Sequence, residues 1–375
     1  MNLSKSIDFL LENAGPVIRY RLHKEILRDL SQTQEENLLE EVCQTPLFSL
    51  LSTYVKPNGY IGSGAHSWAN WRGEVLHRTP LEDGETAARL LSYYAIPKSH
   101  PYVADFVKAM RDEETLRREF SYIPPERARY DSRFIGMSSG VSLMILIYTM
   151  QAMLGYGDDT DDVKAFQNIS LEAFRSILPL SSLSEITKAR QSKAKNNYPY
   201  IEENANFPGQ YHLEMLAYTH NWRSKENIRL MANAVNHYNA ITRGAYPIHV
   251  KIGSTYYVPF PLNMANSPIR AFRKDYINTI TYRRLLTEIA MLGVGEDVGV
   301  IRESVANVRS AIDADGILRM DFDSPHNKRY SPKNIEYPTA YVDVRLEPDY
   351  KRKYAIECDL TFWAVQFLSL AVTDE

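Results

Sequence analysis

The chain has 375 residues, with 43 Lys plus Arg against 46 Asp plus Glu. The formal net charge of −3 gives no global field that would draw it to nucleic acid or an anionic bilayer. Two cysteines, Cys43 and Cys358, are too few for a disulfide framework or a cysteine zinc cluster, so a reducing cytoplasm is the expected compartment. The length is enough to bury a large core, and 25 Tyr beside 4 Trp and 13 Phe can line a cavity as well as fill a core.

The opening residues carry Asp8 and Glu12 inside a short apolar run, which is not a signal-peptide core. Ile7, Leu10, Leu11 and Ala14 form one helical stripe. Gly15-Pro16 breaks it, and Pro16 starts a second helix with Ile18, Leu22, Ile26 and Leu30 inward. A third helix is expected from about Glu35 and a fourth after Pro46, which is the pattern of stacked helical hairpins. Residues 57–64 cannot continue a helix, and 65–80 read as a loop holding His66, Trp68, Trp71, Arg72 and His77. Helices resume at Asp83, a suitable N-cap, and again after His100-Pro101.

Residues 134–154 carry no charge, and the run stays uncharged to Gly157. Ser138, Ser139, Ser142, Thr149 and Gln151 are scattered through it without a flanking Lys/Arg bias. It therefore reads as a buried helix and not a membrane span. A helix buried on all sides requires a ring or double layer of helices around it. The next helix starts at Thr160 and runs to Phe174, and 181–206 form a polar excursion. Pro208-Gly209 opens a helix with Tyr211 and His212, and Ser224 caps the one carrying Met231, Val235 and Tyr238. Two alternating runs between Ile248 and Val258, split by Gly253-Ser254, predict a β-hairpin with a type II′ turn. Helices are expected again over 270–292, 297–311 and 359–371, with a turn at Asp313 to Gly316, a polar loop over 323–338 and a short alternating run over 341–346. No composition break divides the chain, so one domain over 1–375 is expected.

The fragments Gly15-Pro16-Val17-Ile18-Arg19-Tyr20-Arg21, Lys56-Pro57-Asn58-Gly59-Tyr60-Ile61-Gly62, Ala314-Asp315-Gly316-Ile317-Leu318 and the closing Phe362-Trp363 helix are similar to the terpenoid cyclase and protein prenyltransferase superfamily, in its short members with degenerate repeats. The resemblance implies an all-α fold, an α/α toroid of inner and outer helices around a central cavity, here with a small β-hairpin insertion. It also implies a prenyl or other apolar ligand in an aromatic-lined cavity. Asp158-Asp159-Thr160-Asp161-Asp162 contains both acidic patterns of terpene cyclases, D-x-D-D and D-D-x-x-D. Thr160 as N-cap would instead put Asp161 and Asp162 in a first helical turn, with Asp158 and Asp159 in a solvated turn. Glu357-Cys358-Asp359 resembles the family's zinc cysteine, but it lacks the upstream Asp and a following His. Cys358 reads as a small core residue, and no metal site or cofactor is assigned.

The candidate site is drawn from two clusters, His66, Trp68, Trp71, Arg72 and His77 with Asp83 and Glu85 just beyond, and Tyr211, His212, Glu214, His220, Trp222 and Arg223. His66, Tyr211 and His212 are the candidate catalytic residues, and Trp68, Trp71, Arg72, His77, Trp222 and Arg223 the candidate ligand contacts. In a prenyl-binding toroid the aromatic faces would stabilise a carbocation and an Arg would hold a diphosphate. In a carbohydrate lyase or hydrolase the Trp residues would stack on sugars, with His66 or His212 as base and Tyr211 as acid. The third reading is a non-catalytic scaffold that binds a small molecule or, through the hairpin between Ile248 and Val258, a partner protein.

Overall fold

The computed structural model describes residues 3–62, 64, 83–119, 143–158, 160–190, 198–202, 205–243, 248–252, 254–257, 269–275, 282–321, 324, 346–347, 349 and 351–372. Helix starts within them follow side-chain chemistry. Asp83 Oδ1 accepts the Thr86 N–H at 2.7 Å, Thr160 Oγ1 that of Val163 at 3.4 Å, and Ser224 Oγ that of Asn227 at 3.1 Å. Ser31 and Gln34 form a capping box, while Pro16, Pro46 and Pro101 occupy first helical turns. Each cap satisfies a backbone donor that the helix itself cannot, typically worth about 1 kcal/mol.

In chain order the helices are α1 (Ser4–Asn13), α2 (Pro16–Arg21), α3 (Gln32–Cys43), α4 (Pro46–Ser52), α5 (Gly84–Tyr93), α6 (Pro101–Met110) and α7 (Glu113–Glu119). They continue with α8 (Leu143–Gln151), α9 (Asp161–Ser176), α10 (Gln210–Ala217), α11 (Lys225–Ile241), α12 (Tyr282–Met291), α13 (Gly299–Ala311) and α14 (Ala355–Ala371). Two of them widen at their ends into π turns, α2 into Leu22–Leu27 and α8 into Ala152–Tyr156. The second holds Gly155 at φ 83° and ends at Tyr156, one residue before Gly157, the end of the uncharged run. Residues 134–142 of that run lie outside the described residues, but Ile145 to Leu154 are buried throughout, as a helix enclosed by others must be.

The helices are of two kinds. Residues 84–91 of α5 and all of α10 are buried, as are most of α14, including Asp359 and Thr361. By contrast α9, α11 and α13 bury one stripe and leave the other face to solvent. The enclosed helices pack in succession: α5 on α8, α8 on α10, α10 on α12, α12 on α14, and α14 on α2 with its π turn. The one-faced helices cover them, α9 against α10 and α11, α13 against α12 and α14, α3 against α2, and α1 against α14. Helix α14 contributes to both main apolar clusters, Phe362 and Val365 to the one with α2 and α5, and Trp363 and Phe367 to the one with α11 and α12.

Two glycine turns are the same structure built twice. In the first, Val55 bridges Ile61, Lys56 N–H donates to Tyr60 O, and Gly59 has φ 85°. In the second, Ile312 bridges Leu318, Asp313 N–H donates to Ile317 O, and Gly316 has φ 84°. Glycine is required twice over at each. The left-handed backbone excludes most side chains, and a Cβ would stand 2.8 Å from Asp105 O at Gly59 and 2.6 Å from Ser6 N at Gly316.

Four expectations need correction. Of the helix expected over 270–292, Tyr282–Met291 is helical and 276–281 lie outside the described residues, but 270–275 are not helical: Ile269 N–H donates to Asn239 Oδ1 (2.6 Å) and Phe272 N–H to Ser304 Oγ (3.0 Å), so this backbone is satisfied by side chains of α11 and α13. Helix α14 starts at Ala355 and not Asp359, behind Tyr354 at φ 66°. The polar excursion contains a strand, β1 (Tyr200–Glu202), which pairs parallel with β2 (His249–Ile252), while β2 pairs antiparallel with β3 (Thr255–Tyr257). The expected hairpin is thus part of a three-stranded sheet, and its turn type at Gly253 lies outside the described residues. Asp158 is not merely solvated, because it accepts the backbone N–H groups of His220 and Asn221 at 3.1 Å each. Among the described residues no helix is long and apolar enough to cross a membrane.

Candidate functional site

A cavity of about 610 Å³ lies where the enclosed helices converge. It is bounded by the end of α2 and its π turn, the last turn of α5, Tyr218 just after α10, one side of α12 and one side of α14. Five basic residues line it, Arg21, Lys24, Arg28, Arg283 and Arg284, against three acidic ones, Glu25, Glu288 and Asp359. The remaining wall is largely apolar or aromatic, with Phe362, Trp363, Leu346, Leu370, Met291 and Tyr93. This volume lies within the range of pockets that hold small molecules.

Helix geometry explains how α14 reaches so much of the cavity. Asp359, Phe362, Trp363, Gln366 and Leu370 recur at three- and four-residue steps, so they form one stripe about 16 Å long at 1.5 Å per residue. The aromatic members are fixed. Trp363 Nε1 donates to Thr287 Oγ1 at 3.0 Å, and its ring stacks on Phe367 with centroids 5.4 Å apart. The Arg21 guanidinium lies 4.9 Å over the Phe362 ring and grips Glu25 through two hydrogen bonds of 2.7 and 2.8 Å. Gln366 Nε2 adds a 3.2 Å bond to the second Glu25 oxygen. The π turn puts Lys24 and Glu25 beside this stripe, and such turns are frequent at functional sites.

Behind the cavity runs a ladder of alternating buried charge. Arg89, 1% exposed, donates Nε and Nη2 to Glu85 Oε1 and Nη2 to both Glu214 oxygens at 2.9 Å. Arg284 stands 3.9 Å from Glu214 and 3.8 Å from Glu288, bringing the ladder to the cavity wall. Gln210 Nε2 and Tyr211 OH complete it, donating to Glu214 and Glu85 at 2.8 and 3.1 Å. Burial works against the Arg89 charge, but Glu214 and Glu85 more than offset it and hold its pKa well above the ordinary arginine value. Burial drives the Tyr218 phenol well up, so at neutral pH it faces the cavity as a neutral hydroxyl.

Of the residues singled out from sequence, His66, Trp68, Trp71, Arg72 and His77 lie outside the described residues. The second cluster is described, and none of it lines the cavity. His212 is fully buried, and its Nδ1 accepts the Gly209 N–H at 3.0 Å, closing the start of α10. Trp222 Nε1 donates to the carbonyls of Leu216 and Thr219, and Arg223 to those of Thr219 and Ala217, so this pair caps the end of the same helix. Glu85 and Glu214 are the carboxylates of the buried ladder, and Tyr211 joins it through Glu85. In the acidic stretch, Asp161 pairs with Lys164 at the surface, Asp162 accepts from Tyr148 OH at 3.0 Å, and Asp158 ties the turn after α10; none of the three lines the cavity. Cys358 is fully buried beside Asp359 and is pushed up to about 12 by burial, the behaviour of a core residue.

The cavity residues were not found from sequence because each has an ordinary local explanation. Arg21 with Glu25 and Arg284 with Glu288 read as surface i,i+4 pairs, and Phe362 with Trp363 as core. Of the acidic signals, Glu214 stands among the residues singled out, and Asp359 enters only as part of the Glu357-Cys358-Asp359 stretch. No protein-family model matches the chain, and no curated protein or solved structure matches it.

Proposed function

We propose that the enclosed helices close into an α/α toroid of the terpenoid-cyclase and prenyltransferase kind, whose central cavity takes an apolar molecule with an anionic head. Support for closure comes from the repeated glycine turn. The first turn leads into α5 and seats Gly59 on Asp105 of α6, the one-faced helix that follows. The second leads towards α14 and seats Gly316 on Lys5 and Ser6 of α1. Helix α1 therefore takes the place after α14 that α6 takes after α5, as it would if the last hairpin were followed by the first.

The observation that carries the ligand reading is the lining itself, an excess of guanidinium and ammonium groups set against Phe362, Trp363, Leu370 and Met291. A prenyl diphosphate has matching chemistry, an apolar chain for the aromatic wall and an anion for the arginines. Trp363 is only 7% exposed and its ring is stacked on Phe367, which leaves it an edge more than a face and disfavours sugar stacking. The scaffold reading is weaker for a similar reason: Tyr256 on β3 is half-buried, with the Arg190 guanidinium 4.2 Å from its ring centroid.

Thermal unfolding with geranyl, farnesyl and geranylgeranyl diphosphate tests the proposal. Ligand at about 100 times its dissociation constant adds roughly 2.7 kcal/mol, readable as a rise in Tm. A rise with a diphosphate that is lost in Arg283→Gln supports the reading. A rise with neutral or acidic oligosaccharides and none with diphosphates would replace it by a carbohydrate function.

A further inference from the structure

We infer that the ligand of this cavity carries an uncharged oxygen, a carbonyl or a hydroxyl, seated against Ser92 and Tyr218. The inference rests on the amphiphile reading above and adds a second polar group to that molecule. Four residues of the lining bear hydroxyl groups: Ser92, Tyr93, Tyr218 and Thr287. Thr287 is engaged, donating to Arg283 O at 2.9 Å and accepting from Trp363 Nε1 at 3.0 Å. The Ser92 and Tyr218 hydroxyls make no hydrogen bond among the described residues, and both residues are half-buried. They share one side of the cavity, because Ser92 lies in the last turn of α5 and Tyr218 directly follows α10, and both helices pack on α8. The apolar wall of Phe362, Trp363 and Leu370 belongs to α14, which α12 separates from α10 in the packing succession.

Arg89 stands behind this side. Its Nε and Nη2 are taken up by Glu85 and Glu214, but its Nη1 is a buried donor without a hydrogen-bond partner. In a planar guanidinium Nη1 lies on the edge opposite Nε, so it faces away from Glu85. The Arg89 charge acts on Tyr93 and Tyr218, which places both phenols near it. A buried donor left without an acceptor is costly and rare, and here two uncommitted hydroxyls stand in front of one. Burial keeps the Tyr218 phenol protonated and able to donate. The acceptor that suits this group is neutral. Glu85 and Glu214 already meet the Arg89 charge, and Glu288 adds its own charge on the wall, so an anion would face carboxylates with no cation to spare.

Titration of the intact protein with dodecyl phosphate and its keto derivatives, the ketone placed at successive carbons of the chain, tests the inference. One position should bind about tenfold tighter than the rest, because elsewhere the carbonyl is desolvated without meeting a donor. Tyr218→Phe deletes one hydroxyl and keeps the ring, so it should remove most of that preference while leaving dodecyl phosphate within about threefold of its affinity for the parent protein. A series with no preferred position overturns the inference and spares the amphiphile reading, as does a preference that Tyr218→Phe and Ser92→Ala both leave intact. Dodecyl phosphate that does not bind overturns the amphiphile reading. The same ketones without phosphate then test the oxygen site alone, and equal affinities at every position overturn it as well.

Discussion

Replacing Arg89 by Met tests the buried ladder most directly. The substitution keeps the apolar stem but deletes a guanidinium that makes two hydrogen bonds to Glu85 and two to Glu214, carboxylates that are 1% and 0% exposed. Breaking a buried ion pair from one side strands the partner charge and costs about 3–5 kcal/mol, much more than the pair contributes when intact. With an unfolding entropy of about 2.1 cal/mol/K per residue, a 375-residue chain loses roughly 1.3 °C per kcal/mol. The expected fall in Tm is therefore about 4–6 °C, measured by calorimetry at pH 7. The triple variant R89M/E85Q/E214Q removes the stranded charges while Tyr211 and Gln210 keep their neutral partners, and it should recover more than half of the loss. A triple variant no more stable than R89M would refute the reasoning, because the loss would then lie in packing and not in charge.

Gly316→Ala combines a left-handed φ of 84° with a Cβ 2.6 Å from Ser6 N, so it should destabilise by well over about 1 kcal/mol in urea unfolding; an unchanged midpoint would refute the close seat on α1. For Asp158, burial raises the pKa, but the backbone N–H groups of Asn221 and His220 lower it further, so the folded value lies below the ordinary one. Its stabilisation is thus present above the unfolded pKa and lost as pH falls through the folded pKa. Asp158→Asn should be less stable than the parent at pH 7 and equal to it near pH 2, and a pH-independent difference would contradict this. Native protein treated with iodoacetamide at pH 8 should leave Cys358 unmodified by intact-mass and peptide analysis, because that thiol is fully buried, and urea should expose it.

Much of the helical body was legible because its signals are local. Asp83, Thr160 and Ser224 are hydroxyl or carboxylate caps that act within three residues, and Pro16, Pro46 and Pro101 fix φ where a helix begins. What failed to show was decided at long range. The residues from Ile269 to Phe272 carry helix-compatible side chains, but their N–H groups are satisfied by Asn239 and Ser304 from elsewhere in the chain. Strand β1 has only three residues, and it exists because β2 pairs with it. The lining of the cavity went unnamed for a related reason. Counting His and Trp favoured Tyr211, His212, Trp222 and Arg223, yet three of these four close the ends of α10. The cavity is assembled from residues as far apart as Arg21 and Leu370, and no short stretch of sequence holds enough of them to mark it.

The contacts of α1 have a consequence for synthesis. Its Ser6 hydroxyl donates to Gly316 O, its Lys5 to Ala314 O, and the Gly15 N–H that opens α2 to Glu347. A nascent chain emerging from the ribosome has none of these partners until more than 300 residues later, since the Ser6 and Gly316 positions are 310 apart. Helix α1, which packs chiefly on α14 and whose Phe9 lies against Tyr354, must wait uncovered while the middle of the chain folds. Emergence of α14 is then the event that covers α1, and ribosome-stalled chains ending before residue 355 should be bound by chaperones at that helix.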